Sequence, residues 1–342
     1  MMHTTPPPRP SPITPTVDLT RDGIQHGHLR LPWSRDDSAW GSVMIPICVI
    51  RNGDGPTALL TGANHGDEYE GPVALYDLAA SLKPEQINGR VIIVPAMNFP
   101  AFQKGTRTSP IDKGNLNRSF PGRPDGTVTE KIADYFTRYL MPEADIVLDF
   151  HSGGRTLDFL PYAAAHALPD KVQESRCFSA VKAFSAPYSM RMIEIDAVGM
   201  YDTTAEEAGK VFVTTELAGG GTISARTAAI AKRGVRNLLR HSGILEGEIE
   251  QSPTVWLDMP SKDCFGFADT DGLLEPLVDL GSEIRKGDLI ARVHNIARTG
   301  SAPQEHRAKL DGVLAARHFR GLVKMGDCLS VIATICEEPV AR

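Results

Sequence analysis

The stretch Thr57-Ala58-Leu59-Leu60-Thr61-Gly62-Ala63-Asn64-His65-Gly66-Asp67-Glu68 decides how this chain is expected to fold. Its first half, residues 57–62, is an apolar run of strand length, and the polar residues after it place an imidazole and a carboxylate three positions apart in a turn. Zinc enzymes commonly hold the ion with two His and one Glu, and leave a fourth position for water. His65 and Glu68 therefore predict a zinc site and a second, distant His in a similar setting.

His151 meets that expectation, because it follows a second apolar run at residues 145–150. A third apolar run, residues 211–215, ends in Glu216 and a glycine-rich turn. In open α/β sheets, ligands bind outside the carboxyl ends of the strands, so groups in this position are expected to share one site. Taken singly, each has a plainer explanation, such as a hydrogen-bonded core histidine or a helix-capping glutamate. Their common placement just after strand-like runs favours a shared metal site over these separate explanations.

The segment between these groups carries candidate anion-binding residues. After another strand-like run at residues 91–98 come Arg107 and then Asn117-Arg118, in loops bounded by Gly and Pro. A planar guanidinium can bond both oxygens of a carboxylate, and an amide adds one more donor. Taken alone, either arginine is better explained as a solvated surface charge. Beside the predicted metal site, they indicate recognition of a carboxylate.

Together these motifs resemble the succinylglutamate desuccinylase/aspartoacylase family, which is related to the zinc carboxypeptidases. The resemblance rests on residues 64–68, Asn117-Arg118, Asp149-Phe150-His151-Ser152 and Thr215-Glu216, in that order, and covers residues 44–243. It implies one Zn²⁺ per chain. One departure is the stretch Ser109-Pro110-Ile111, which lengthens the link between Arg107 and Asn117 relative to aspartoacylase.

The resemblance also implies a role for each of seven residues. These are His65, Glu68 and His151 as zinc ligands, Glu216 as general base, Arg107 as stabiliser of the oxyanion, and Asn117 and Arg118 as the clamp on the substrate carboxylate. With these roles, water would attack an amide carbonyl and release a carboxylic acid and a free amine.

The activity implied is that of a deacylase, a metallohydrolase acting on a linear amide bond of a small N-acylated amino acid. Acetyl is the expected acyl group, and N-acetyl-L-2,4-diaminobutyrate, from the breakdown of ectoine, is the expected substrate. Its cationic side chain would need an acidic partner, for which Glu194, Asp196 and Asp202 are the candidates. Two alternatives stay open: a zinc carboxypeptidase acting on peptides, and a non-catalytic protein that binds zinc or carboxylates. Glu216 argues against the second, because a binder needs no base.

Composition narrows the class of protein. The chain has 342 residues, 42% of them hydrophobic, so it can bury a sizeable core. Its 36 basic and 42 acidic residues give a net charge of −6 without a basic tract, which argues against nucleic acid as partner. Its five scattered cysteines suggest no disulfide framework and fit a cytoplasmic enzyme. No apolar run approaches the roughly 18 residues of a membrane span, so no membrane partner is expected. Whether the chain forms a homo-oligomer stays open.

Alternating strand and helix patterns from about residue 57 to 243 predict an α/β fold, with a zinc carboxypeptidase-like mixed sheet flanked by helices. Helices are expected at residues 72–82, 127–140 and 223–241. The turn Asn52-Gly53-Asp54-Gly55 predicts a hairpin between two strands within residues 42–63.

Beyond residue 247 the sequence contains an internal repeat. Asp271-Gly272-Leu273-Leu274 recurs forty residues later as Asp311-Gly312-Val313-Leu314. This predicts a C-terminal all-β domain like the barrel-sandwich of biotinyl and lipoyl carriers. Lys309 lacks the flanking carrier motif, so a structural role is expected. The predicted organisation is a Pro-rich arm (1–16), a zinc-dependent catalytic α/β domain (17–247, with an N-terminal β segment at 17–50) and a β domain (248–342).

Overall fold

The computed structural model describes residues 9–338. Its strands are β1 (Thr14–Pro15), β2 (Gly23–Pro32), β3 (Ser42–Asn52), β4 (Thr57–Gly62), β5 (Gly89–Val94), β6 (Ile146–Phe150), β7 (Leu157–Phe159), β8 (Tyr162–His166), β9 (Tyr188–Met192), β10 (Val211–Glu216), β11 (Val255–Asp258), β12 (Phe265–Phe267), β13 (Gly272–Pro276), β14 (Glu283–Ile284), β15 (Leu289–His294), β16 (Gln304–Arg307), β17 (Gly312–His318), β18 (Leu322–Val323) and β19 (Cys328–Ile335). Its α-helices are α1 (Glu70–Ser81), α2 (Phe99–Lys104), α3 (Val128–Tyr135), α4 (Lys171–Phe184), α5 (Tyr201–Glu207) and α6 (Ala225–His241).

Four parallel strands, in the order β5-β4-β6-β10, form the centre of a large sheet. They are the four apolar runs noted in the sequence, and β4 and β6 are buried along their whole length. Antiparallel neighbours, β3 beside β5 and β8 beside β10, make the sheet mixed. The predicted α/β class with a mixed sheet is confirmed.

The predicted hairpin between β3 and β4 is wrong. The turn at residues 52–55 is present, but β5 lies between the two strands, antiparallel to β3 and parallel to β4. The reason lies in burial: residues 91–94 of β5 are completely buried, which requires a neighbouring strand on each side and cover on both faces. A turn signal fixes the local chain reversal, and it does not choose the strand partner.

Helices cover both faces of the central strands. Alternate residues of β4 point to opposite sides, so Leu60 packs with α1, α4 and α6 in one core, whereas Leu59 packs with α3 and α5 in another. The helix predictions agree with the structure to within about two residues, because a π-helical turn at Phe136–Leu140 continues α3 to the predicted end at residue 140. Thr127 caps α3 by accepting a hydrogen bond from the backbone N–H of Glu130. Ser224 caps α6 in the same way, by accepting one from the backbone N–H of Thr227.

The large sheet continues into the C-terminal part of the chain, because β11 runs parallel to β9 and antiparallel to β19. A second, antiparallel sheet has the order β16-β15-β13-β18. The internal repeat is visible in the pairings: β13 pairs with β15 and β18, and its counterpart β17 pairs with β19 and β14. The barrel-sandwich description and the three domain boundaries remain predictions.

The N-terminal prolines at positions 6, 7 and 8 lie outside the described residues. Closer to the core, Thr14–Pro15 pairs with β2. Among residues 9–338, no helix combines the length and apolar character needed to cross a membrane.

Candidate active site

One cavity of about 180 Å³ opens at the carboxyl ends of β4, β6 and β10, which are adjacent in the sheet. The structure brings together all seven residues that the sequence singled out. They line this cavity: His65, Glu68, Arg107, Asn117, Arg118, His151 and Glu216. A larger cavity of about 730 Å³ lies at the amino ends of the same strands, beside residues 145 and 211. It contains none of the predicted site residues, so we assign the chemistry to the smaller one.

The centre of this cavity is the carboxylate of Glu68. His65 Nδ1 lies 2.8 Å from Glu68 Oε1, and His151 Nδ1 lies 2.9 Å from Glu68 Oε2. The possible ligand atoms of the three residues all lie within 4.8 Å of one another, and all three side chains are largely buried. Two imidazole nitrogens and one carboxylate are a donor set that suits zinc. The residues therefore fit the predicted metal.

The pKa values of the two histidines and of Glu68 reflect burial and the contacts that these groups make with their charged neighbours. Burial alone would raise the pKa of Glu68, but His65 and His151 outweigh it and lower that pKa. Burial likewise opposes charge on His151, yet Asp149 and Glu68 raise the pKa of its imidazole well above the usual value. For His65, burial is the larger effect and lowers the pKa. The carboxylate thus stays ionised and available to a cation.

The sequence-based assignment missed Asp149. Its Oδ2 lies 2.8 Å from His151 Nε2 and accepts a hydrogen bond from Asn64 Nδ2, while its Oδ1 accepts one from Thr61 Oγ1. A proton held on His151 Nε2 leaves Nδ1 for a metal, the arrangement usual for metal-binding histidines. The signal was visible in the sequence: Asp149 is an acid inside an otherwise apolar strand, and such a buried carboxylate needs specific partners.

The loop that carries His65 and Glu68 is fixed by a close approach to α2. A Cβ placed on Gly66 would lie 2.0 Å from the carbonyl carbon of Ala101, so only glycine fits there. Gly66 N–H donates to the carbonyl of Thr106, and Asn98 Nδ2 donates to that of Asn64. The loop is thereby held against residues 98–106, which positions the ligands and Arg107 together.

Glu216 stands at the end of β10, facing the same cavity. Its Oε2 is buried and accepts no hydrogen bond from any described residue. Burial, followed by the nearby Glu68 carboxylate, raises the pKa of Glu216 well above its usual value. The preceding Thr215 fixes the strand end to His151, accepting a hydrogen bond from its backbone N–H and donating one to its carbonyl, each 3.1 Å long. A carboxyl group with a raised pKa is suited to take up and release a proton during a reaction.

Three cationic or amide side chains also line the cavity. Arg107 is half exposed, with one guanidinium nitrogen 3.3 Å from His65 Nδ1 and 3.7 Å from Glu68 Oε1. Asn117 is buried, and its Oδ1 accepts a hydrogen bond from the backbone N–H of Tyr201, which leaves its Nδ2 free to donate. Arg118 is exposed and forms no ion pair with any carboxylate of residues 9–338, so its charge is available to an anion.

The comparisons with known proteins agree with this site. Residues 54–242 match the family model described as the succinylglutamate desuccinylase/aspartoacylase catalytic domain. The chain belongs to the succinylglutamate desuccinylase/aspartoacylase family. The matched residues include both predicted histidine ligands, Glu68 and Glu216, and members of this family are deacylases, so the predicted family is confirmed.

Similar proteins cover nearly the whole chain. The N-alpha-acetyl-L-2,4-diaminobutyric acid deacetylase of Halomonas elongata is 56% identical over 331 residues, which is 96% of this chain and 97% of that protein. The product-bound structure of the ectoine utilization protein EutE from Ruegeria pomeroyi is 64% identical, with a TM-score of 0.94 and coverage of 95% of this chain and 99% of that one. A succinylglutamate desuccinylase structure from a Silicibacter species is 62% identical, with a TM-score of 0.93 and coverage of 96% and 99%.

Proposed function

We propose that the protein is a zinc-dependent amidohydrolase that removes the acetyl group from Nα-acetyl-L-2,4-diaminobutyrate in ectoine degradation. The observation that carries the proposal is the position of Glu216, whose buried Oε2 accepts no hydrogen bond from any described residue, in the same cavity as the His65, Glu68 and His151 centre. The similarity to the Halomonas elongata deacetylase over almost the full length supports the choice of acyl group and amine. One Zn²⁺ per chain and a cytoplasmic location belong to the proposal.

His65, Glu68 and His151 would hold the zinc ion, with Asp149 holding His151 by its other ring nitrogen. When bound, zinc supplies a Lewis acid that polarises the amide carbonyl and makes water acidic enough to act near neutral pH. Glu216 takes a proton from the attacking water and delivers it to the amide nitrogen as the C–N bond breaks. Water is thereby divided between acetate, which receives the hydroxyl group, and the amine, which receives the proton.

Arg107 and the pair Asn117 and Arg118 would place the substrate. The guanidinium of Arg107, beside the predicted ligands, would stabilise the negative charge on the carbonyl oxygen as water adds. Asn117 Nδ2 and the guanidinium of Arg118, which pairs with no carboxylate of residues 9–338, would bind the α-carboxylate. With the carboxylate and the carbonyl held by these groups, the scissile bond would lie in the cavity that Glu216 lines.

The test is the release of free amine from Nα-acetyl-L-2,4-diaminobutyrate, compared with release of C-terminal residues from short peptides, by zinc-loaded and by chelator-treated protein. We expect hydrolysis of the acetylated amino acid, loss with the chelator and recovery with added zinc. Efficient cleavage of the peptides in its place would identify a carboxypeptidase. Binding without hydrolysis of either would identify a non-catalytic zinc or carboxylate binder.

A further inference from the structure

A second group of acidic residues lies in the same cavity, beyond the predicted metal ligands. Glu194 follows β9, and Asp202 stands in the first turn of α5; both line the cavity, with Met192 and Met200 beside them. Asp196, the other acid that the sequence offered, is exposed and does not line it. The structure thus selects two of the three candidates.

These carboxylates outnumber the cations that face them. His166 Nδ1 lies 2.9 Å from Glu206 Oε1, and His166 Nε2 lies 3.6 Å from Glu194 Oε1, so one imidazolium serves two glutamates. Asp202 is only 5% exposed and forms no ion pair among residues 9–338; a ring nitrogen of the same His166 lies within 4.8 Å of one of its carboxylate oxygens. Its Oδ1 accepts hydrogen bonds from Thr203, and its Oδ2 accepts none from the part of the chain that the structure describes. A buried carboxylate with so few partners is costly, which indicates a cationic partner from outside the chain.

Asp202 is also held at a fixed position relative to the proposed carboxylate clamp. The residue before it, Tyr201, donates its backbone N–H to Asn117 Oδ1 at 3.0 Å. Two residues before Tyr201, the carbonyl of Gly199 accepts a hydrogen bond from the backbone N–H of Phe120. The acid and the clamp are therefore parts of one hydrogen-bonded unit, as recognition of two ends of one small molecule requires.

We propose that Asp202, supported by Glu194, is the subsite for a side-chain ammonium group and makes the enzyme selective for N-acylated basic amino acids. This inference rests on the proposed function and assigns its specificity. A neutral side chain would leave Asp202 to share the single histidine His166 with Glu194 and Glu206, and an acidic side chain, as in N-acetylaspartate, would be repelled. The same residues that admit diaminobutyrate thus exclude the dicarboxylates.

A second metal ion is the competing occupant, because possible ligand atoms of His166, Glu194 and Asp202 lie within 4.8 Å of one another. An ammonium group is favoured, because Asp202 is tied through Tyr201 to Asn117 of the proposed carboxylate clamp, and because Glu194, Glu206 and Asp202 share a single histidine. The metal content of wild-type protein and of Asp202→Asn decides between the two occupants.

The experiment compares kcat/KM for Nα-acetyl-L-2,4-diaminobutyrate and for Nα-acetyl-L-norvaline, which has a neutral side chain of the same length. We expect wild-type protein to prefer the cationic substrate by about 10- to 100-fold, the usual range for a hydrogen bond to a charged group. Asp202→Asn, which keeps the oxygen that accepts from Thr203, should remove most of this preference. Asp196→Asn is the matched control in the same segment and should keep it.

Binding of free L-2,4-diaminobutyrate and of L-norvaline, followed by calorimetry, gives the same comparison without turnover, and thermal melting shows whether each variant is folded. Equal kcat/KM for the two substrates in wild-type protein would overturn the subsite and leave the deacylase intact. Failure to hydrolyse either substrate would count against the proposed function, and calorimetry would still decide the subsite. Two metal equivalents per chain, falling to one in Asp202→Asn, would assign these residues to a metal.

Discussion

Asp149 Oδ2 lies 2.8 Å from His151 Nε2, although Phe150, the last residue of β6, separates the two residues in the chain. The contact turns the other ring nitrogen of His151 towards Glu68. Because the same Asp149 also binds Asn64 and Thr61, it links the two loops that carry the predicted ligands. One buried acid thus determines how the metal centre is assembled.

Asp149→Asn is expected to weaken zinc binding by about 10- to 100-fold, since an amide can present the wrong hydrogen-bonding atom to His151 Nε2. Zinc dissociation constants measured by competition with a chelating dye would show the loss. Activity at saturating zinc should recover in part, because the three ligands themselves are unchanged. An unaltered zinc affinity would mean that Asp149 only stabilises the end of β6.

His151→Ala should remove both zinc and activity, because the remaining His65 and Glu68 leave too few protein ligands. Elemental analysis of the purified variant should give well below one zinc per chain, against about one for wild-type protein. His26→Ala, on an exposed position of β2, is a suitable control. Full zinc content in His151→Ala would remove this residue from the metal site.

Glu216→Gln tests the proposed base. The amide keeps the size of the side chain but cannot take a proton, so turnover should fall by about 10²–10⁴-fold while substrate affinity persists. Zinc content should also persist, and Glu207→Gln, exposed at the end of α5, serves as the control. If Glu216→Gln loses the metal, Glu216 is a ligand and its role must be exchanged with that of Glu68.

Asp202→Asn should change the pH dependence of stability. Burial raises the pKa of Asp202 from 3.8 to about 6; His166 offsets this in part, and Glu194 and Glu206 add to it. A raised folded-state pKa means that stability is present below the unfolded value and is lost as pH rises through about 6. A shift of this size corresponds to about 3 kcal/mol that the folded wild-type protein loses and the variant does not.

Urea unfolding of both proteins between pH 4 and 7.5 would measure this effect. The difference in free energy of unfolding should move in favour of Asp202→Asn as the pH rises. A difference that is constant across this range would show that ionisation of Asp202 costs the fold nothing. Such a result would count against the need for a cation from outside the chain beside Asp202.

Arg118→Lys should raise KM for the acetylated amino acid and fail to restore the clamp, because an ammonium group cannot bond both carboxylate oxygens in the manner of a guanidinium. Steady-state kinetics would separate this from an effect on kcat, which should change less. Arg123→Lys, whose guanidinium pairs with Glu130 outside the cavity, provides the comparison. Equal KM values for wild-type protein and Arg118→Lys would place the α-carboxylate elsewhere.

The sequence predicted the central strands and the groups at their ends because each parallel strand is an apolar run followed at once by a polar residue, as at His151 and Glu216. It did not predict which strands are neighbours. That choice depends on burial of β5 on both faces, a property of the assembled sheet. Nor could it separate Asp202 from Asp196, because the two differ in exposure and in nothing that their local sequence reveals.

The pairing of β7 with β17 gives the C-terminal part of the chain an influence on the cavity. Leu157 and Phe159 line the cavity, and their strand is bonded to residues 316–318, with Asp158 paired to Arg317 at 3.3 Å. A fragment ending at residue 247 would keep every predicted ligand and lose the strand that braces this wall. Substitutions on β17 thus offer evolution, or an engineer, a route to new substrate preferences that leaves the metal centre untouched.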